Sequence, residues 1–195
     1  MQLNDGALNH LFGEARTHRK WLDQPVSEEL LRTIYDLARM GPTSANSCPL
    51  RIVFAKSRQA KERLAPHLSR GNLEKTMTAP LTAIFAYDRL FFEHMPRLAP
   101  HDPKVRSWFE GDDKTGSVDA LRNSTLQAAY FMLAARSLGL DWGAMSGFNN
   151  ETLDADYFPD GRFKSNFLCN FGYGDESALH PRAPRFEFDE VCRVD

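Results

Sequence analysis

Between Ser27 and Gly41 the apolar residues Leu30, Leu31, Ile34, Leu37 and Ala38 recur every three or four positions, which places them on one face of an α-helix. Ser27 suits the N-cap, Glu28 and Glu29 oppose the helix dipole favourably, and Gly41 with Pro42 stops the helix. A shorter helical pattern, Leu8, Leu11, Phe12 and Ala15, follows Asn4-Asp5. Residues 60–68 and 118–138 also read as helices, whereas 51–55, 81–87 and 167–171 read as strands. Strands and helices mix without strict alternation, so the pattern predicts an α+β fold.

The 118–138 helix carries Leu121, Thr125, Ala128, Met132 and Ala135 on one face and Leu126, Ala129, Tyr130 and Leu133 on another. A helix with one partner needs only one apolar stripe, so this one is expected either to serve two partners or to lie fully buried. Residues 88–116 break the periodicity. They hold Phe91, Phe92, His94, Met95, Trp108 and Phe109 among many charges, an excursion suited to covering a substrate site. No repeat, low-complexity tract or linker interrupts residues 1–195, which are expected to form one domain.

A formal charge of -2 with 26% charged residues lacks the basic excess that nucleic-acid binding favours. The N-terminal Met1-Gln2-Leu3-Asn4-Asp5 has no basic stretch leading into an apolar run, and about 18 consecutive apolar residues occur nowhere, so a cytoplasmic location without membrane contact is expected. Cys48, Cys169 and Cys192 are odd in number and scattered, which favours free thiols. The six histidines show no metal-ligand spacing, Ser146 sits in Met-Ser-Gly-Phe rather than a nucleophile elbow, and neither a dinucleotide fingerprint nor a P-loop is present.

Residues 41–54 compress a helix stop, the small polar run Thr43-Ser44-Ala45-Asn46 and a strand start into one stretch, a pattern suited to docking a flat ligand. Upstream lie Arg16-Thr17-His18-Arg19-Lys20-Trp21 and Pro25-Val26-Ser27. This order of basic cluster, Pro-Val, helix, Gly-Pro-Thr-Ser-Ala-Asn and strand resembles the nitroreductase family of FMN flavoproteins. Asn72, Lys75, Met145-Ser146-Gly147-Phe148, Pro184-Arg185 and Glu190-Val191 continue the resemblance, which spans residues 16–191. Ser44 to Pro49, Arg70-Gly71-Asn72-Leu73 and Arg122-Asn123-Ser124 are most similar to the malonic semialdehyde reductase branch, which belongs to pyrimidine degradation. Ser47-Cys48 and Leu50 depart from the wider family's pattern beside the pocket.

The resemblance implies a central, mostly antiparallel sheet flanked by helices, in a homodimer with the long helix at its interface. It implies bound FMN, with NADH or NADPH as a transient co-substrate and ping-pong hydride transfer. The flavin is then the hydride carrier and no side chain is catalytic. Arg16 and Arg185 would fork onto the phosphate, with Thr17, His18 and Arg182 beside them. Lys20, Asn72 and Lys75 would donate to the carbonyls of the pyrimidine end. Thr43, Ser44 and Asn46 would pack on the ring and ribityl chain, and Met145, Ser146 and Gly147 would present backbone N–H groups to the ring's reactive nitrogen. The acceptor implied is malonic semialdehyde, reduced to 3-hydroxypropanoate. Nitroaromatics or quinones are the alternative, and a flavin-binding module without turnover is a further one. An acceptor carboxylate calls for a cation, for which Arg106, Arg122 or the helical edge of residues 88–116 are candidates.

Overall fold

The computed structural model describes residues 2–110 and 113–195. The helix read from Leu8 begins as α1 (Asp5–Leu8) and continues as a π-helical turn over Asn9–Gly13, stopping short of Ala15. Helix α2 (Glu28–Ala38) has the expected cap: Ser27 Oγ accepts from the Leu30 amide at 3.1 Å. Strand β1 (Leu50–Ala55) follows, then α3 (Arg58–Leu64), which closes in a 3-10 turn over Ala65–His67 rather than running to Leu68. Next come α4 (Arg70–Thr78), β2 (Leu81–Asp88) and, within the excursion, α5 (Met95–Leu98). The chain ends with α6 (Asp113–Ser137), β3 (Asp141–Met145), α7 (Asn150–Tyr157), β4 (Phe163–Gly172) and α8 (Phe188–Val191). Residues 111 and 112 of the excursion and Met1 of the expected domain lie outside the described residues.

The sheet runs β1-β2-β4-β3 with every pair antiparallel, so β1 and β3 are its edges. In β2 the side-chain alternation divides the core in two. Leu81, Ala83 and Phe85 face Leu31, Ile34 and Ala38 of α2 and Ala128, Phe131 and Ala135 of α6. Ile84 and Ala86 face Leu64 of α3, Leu153 of α7, and Met145, Phe158 and Leu168. Helices on both faces leave β2 almost wholly buried, which is why its sequence reads as a continuous apolar run.

Helix α6 departs from both expected stripes. Its inward face is Ala120, Asn123, Ser124, Gln127, Ala128, Phe131, Ala134 and Ala135. The periodicity hid this face because its first half is polar, and those polar groups are used in the site described below. Val118, Leu121, Leu126 and Tyr130 remain exposed on the outside. Elements α4, β3 and α7 were not expected: α4 and α7 are polar along most of their length, and β3, Asp-Trp-Gly-Ala-Met, has no apolar run to declare it. Among the described residues no helix is long and apolar enough to cross a membrane, and no group of three His, Cys, Asp or Glu is placed to hold a metal ion.

Candidate functional site

The basic run of residues 16–21 is stitched along one edge of the sheet. The His18 amide donates to the Trp142 carbonyl at 3.1 Å, Asp175 N to Lys20 O at 3.0 Å, and Leu22 N to Tyr173 O at 2.8 Å. Two glycines permit this approach. A Cβ on Gly143 would strike the His18 carbonyl, and one on Gly174 would enter the His18 ring. His18 is thereby buried, with Nε2 3.3 Å from Asp141 Oδ1. Burial lowers its pKa from 6.5, outweighing the pull of Asp141 in the other direction, and Arg136 adds to the lowering. Arg136, also buried, lies over the Trp142 ring at 4.9 Å and donates to the Arg16 carbonyl at 2.9 Å. His18 Nδ1, Arg136 Nε and Trp142 Nε1 are buried here without hydrogen-bond partners among the described residues.

Helix α4 and the loop after β3 close on the same edge. Asn72 Nδ2 donates to the Gly147 carbonyl at 2.7 Å, which also accepts the Ser69 amide at 3.0 Å, while Thr76 Oγ1 reaches Met145 Sδ at 3.6 Å. Trp21 Nε1 donates to the Lys75 carbonyl at 3.2 Å, tying the basic strip to α4. Desolvation, and then the nearby charge of Arg19, lower the Lys75 pKa. From the C-terminal segment, the His180 carbonyl accepts from Arg16, and Arg182 donates to the carbonyls of Gly13 at 2.7 Å and Ala15 at 3.0 Å.

The structure therefore brings together Arg16, Thr17, His18, Lys20, Asn72, Lys75, Met145, Ser146, Gly147 and Arg182 around one corner. Arg185 is different: among the described residues its hydrogen bonds go to the carbonyls of its neighbours Ala183 and Pro184. Arg19, outside the expected set, belongs with the cluster through Lys75 and His180. Among the described residues, Arg16, Arg19, Lys20, Lys75, Arg182 and Arg185 have no carboxylate within salt-bridge distance. Guanidinium forks and ammonium groups without a salt bridge among the described residues, beside an amide and exposed backbone, form a donor set that fits a phosphate and the carbonyl edge of a heterocycle.

Thr43, Ser44 and Asn46 lie elsewhere. Ala45, Asn46 and Cys48 take φ values of 49°, 58° and 42°, a left-handed conformation disfavoured for side chains with a Cβ. The loop keeps this path because it is strapped on every side. Ser44 N donates to Asn123 Oδ1 at 2.8 Å, Leu50 N to Gln127 Oε1 at 3.0 Å, Cys48 N to Thr43 Oγ1 at 3.2 Å, and Asn46 Nδ2 to the Leu98 carbonyl at 2.7 Å. Arg51 donates to the Cys48 carbonyl at 3.2 Å and to Asp88 at 2.6 Å. Asp88 is fully buried and also receives Arg162 at 3.1 Å and the Leu90 amide at 2.9 Å, with His94 3.5 Å away. Sequence reading missed this cluster. Its one signal was an acidic residue ending an otherwise apolar strand.

The loop precedes Leu50, which pairs with Tyr87, whereas Asp141 and Trp142 pair with Gly172 and Phe171. These are opposite edges, three strand spacings or about 14 Å apart, and opposite ends of the strands. One chain does not bring the loop to the basic corner. Beside the loop is a cleft of about 1160 Å³, walled by α2, β1 and α5, with Asn46, Cys48, Arg51, Arg97 and Leu98 in its lining. The excursion above it is packed, not loose: Phe91, Met95, Ala99, Val105, Phe109 and Ala120 form their own apolar cluster, against which Ala45 and Tyr87 rest. Of the expected carboxylate-binding cations, Arg106 is forked onto Glu110 at 2.7 and 3.0 Å and Arg122 is paired with Asp119 at 2.8 Å.

A protein of Ralstonia nicotianae, provisionally named an NADH dehydrogenase/NAD(P)H nitroreductase, is 54% identical over 192 residues, covering 98% of each chain. A crystal structure of a provisionally named nitroreductase from Bacillus subtilis superposes with a TM-score of 0.89 at 20% identity, over 98% of this chain and 100% of that one. A second, from Exiguobacterium sibiricum and solved in complex with FMN, gives 0.85 at 17% identity, over 100% of this chain and 99% of that one. The sequence pattern described as the Nitroreductase family matches residues 13–164, a stretch that holds the basic strip, the strapped loop, α4 and the turn at Gly147. With most of its length matched and a relative of this identity spanning nearly all of it, the chain belongs to the nitroreductase family.

Proposed function

We propose that the protein is an FMN-dependent NAD(P)H oxidoreductase that works as a homodimer in the cytoplasm and reduces malonic semialdehyde to 3-hydroxypropanoate. The observation that carries the flavin reading is the corner of cations with no carboxylate within salt-bridge distance among the described residues, closed by the Asn72–Gly147 hydrogen bond. Arg16 and Arg182, with Arg19 beside them, supply the forks for a phosphate, and Lys20, Asn72 and Lys75 supply donors for the carbonyl edge of the ring. The Gly147 turn offers backbone N–H groups without side-chain bulk. FMN, when bound, supplies the hydride chemistry between NAD(P)H and the acceptor in two half-reactions. The relative's name and the FMN complex of the Exiguobacterium sibiricum protein support this reading.

The dimer reading has two supports. Val118, Leu121, Leu126 and Tyr130 of α6 and Tyr35, Leu37 and Met40 at α2 are large apolar side chains left exposed. The strapped loop, far from its own basic corner, would reach the corner of a second copy, so that each flavin is held by two chains. Three free thiols fit the reducing cytoplasm. The semialdehyde rests on the branch resemblance of residues 44–49, 70–73 and 122–124.

Anaerobic stopped-flow tests the whole reading. Protein loaded with FMN is expected to bleach on mixing with NADH or NADPH and to recover its absorbance on mixing with malonic semialdehyde. Recovery only with nitroaromatics or quinones would replace the acceptor while keeping the enzyme, and no bleaching with either nicotinamide would reject the enzyme. Light scattering is expected to give twice the chain mass.

A further inference from the structure

We propose that Arg97 holds the carboxylate of the electron acceptor and so selects anionic acceptors over neutral ones; this deepens the flavin reading above and rests on it, the flavin being the one at the basic corner of a second copy, which the strapped loop would reach. The argument is by elimination within the cleft beside the strapped loop. Its lining includes Arg32, Arg39, Arg51, Lys56 and Arg97. Arg51 is committed to Asp88 and to the Cys48 carbonyl, and Arg39 to Asp36 at 3.2 Å. Lys56 follows Ala55, the end of β1 remote from Leu50 and about 17 Å along the strand. Arg32 lies about 9 Å along α2 before its C-terminal end and makes no hydrogen bond to the loop among the described residues. Of the cleft cations without an ion pair among the described residues, Arg97 adjoins the loop, since its neighbour Leu98 accepts the Asn46 amide. Among the described residues Arg97 has no carboxylate partner.

Its position is also fixed. Met95 and Ala99, two residues to either side, are buried in the apolar cluster of the excursion, and the Ala99 amide donates to the Met95 carbonyl at 2.8 Å. Arg97 is exposed between these two anchors, on the turn that carries the Asn46 contact. A guanidinium presented this way gives a carboxylate two parallel charge-assisted hydrogen bonds without first giving up an existing ion pair. Arg106 and Arg122, bound to Glu110 and Asp119, would each have to do so.

The test compares 4-nitrobenzoate with its neutral isostere 4-nitrobenzamide, and adds malonic semialdehyde, in FMN-loaded wild-type dimer and in Arg97→Gln, Arg97→Lys, Arg106→Gln and Arg122→Gln. Arg97→Gln is expected to raise KM for the two anionic acceptors by about tenfold to a hundredfold, with kcat and the nitrobenzamide rates unchanged. Arg97→Lys keeps the charge but loses the fork, so it should recover part of the loss. Arg106→Gln and Arg122→Gln should leave the anion preference intact. Equal losses on nitrobenzoate and nitrobenzamide, or no loss on either, would overturn the assignment of Arg97 while leaving the flavin reading in place. Failure of the wild type to oxidise NAD(P)H with any acceptor would overturn both.

Discussion

At the corner where β1 begins, charges close on one another: buried Asp88 takes Arg51, Arg162 and the Leu90 amide, and Arg162 goes on to Glu93 at 3.0 Å. At the diagonal corner, and among the described residues, Arg16, Arg19, Lys20, Lys75 and Arg182 gather with no carboxylate within salt-bridge distance, and three buried nitrogens have no hydrogen-bond partner. Both corners are rich in arginine, but the second leaves its exposed and half-exposed cations without ion pairs among the described residues, while its buried Arg136 and His18 share Asp141. Unpaired surface cations cost the fold little and stay open to an anion. The first corner is therefore scaffold, holding a loop in a conformation its residues disfavour. The second is the proposed flavin receptor, whose position is set by backbone hydrogen bonds to Trp142 of β3 and to Tyr173 and Asp175 just after β4, and not by its side-chain charges.

The largest effect should come from breaking the scaffold. Asp88→Asn keeps the shape but leaves Arg51 without an anion and Arg162 with Glu93 alone. Because Arg51 and Arg162 are partly exposed, the loss should be about 2–4 kcal/mol, at the lower side of that for a wholly buried pair. Urea denaturation measures it, and thermal unfolding should fall by roughly 4–16 °C at this chain length. A loss under about 1 kcal/mol would mean that Asp88 does not hold this corner.

Arg16→Gln makes the opposite statement. Removing one cation from a cluster of like charges should leave stability within about 0.5 kcal/mol. FMN affinity should fall by about tenfold to a hundredfold, and the wild-type affinity should weaken with added salt, as contacts of exposed cations do. Fluorescence titration of FMN at two ionic strengths reads both. A variant that unfolds like Asp88→Asn would erase the distinction between receptor and scaffold.

The two corners were not equally legible in the sequence. The receptor could be read because its residues are contiguous, Arg16 to Lys20, or recur as short motifs such as Met145-Ser146-Gly147. The helix at Ser27–Ala38 and strands β1, β2 and β4 could be read because burial on one or both faces writes itself as periodicity. The scaffold could not. Arg51, Asp88 and Arg162 are far apart in the chain, and each alone looks like a surface charge. Asn123 and Gln127 looked like the polar side of α6, yet they face inward because the loop's amides need acceptors there. Long-range polar satisfaction leaves no periodic trace, and the same is true of Arg97, whose proposed role rests on its place beside the loop and on its having no ion pair among the described residues.

Asn123→Ala sharpens the comparison at a smaller scale. The variant leaves the Ser44 amide without its acceptor, at about 1–2 kcal/mol. Hydrogen exchange at Ser44 and Leu50 should accelerate in the variant while the amides of His18 and Leu22 keep their protection, since they donate to the Trp142 and Tyr173 carbonyls. Acceleration at both corners would show that the strap and the basic strip unfold together.

The smallest effect is a pH dependence at the receptor. Burial lowers the His18 pKa below 6.5, with Arg136 and Arg16 acting in the same direction against Asp141 and Glu176. As pH falls beneath 6.5, the unfolded chain binds a proton at this position that the folded chain resists, so folded stability declines across that window and is complete above it. Replacing His18 by Gln removes the titrating group. The drop in unfolding free energy between pH 7.5 and 5.5, by urea denaturation, should therefore be smaller in His18→Gln than in the wild type. An equal drop would assign the acid sensitivity to groups outside this corner. The burial that makes His18 sensitive is imposed by Gly174 and Gly143, so Gly143→Ala, which forces the strip off β3, should reduce the pH sensitivity in the same direction while lowering stability at both pH values.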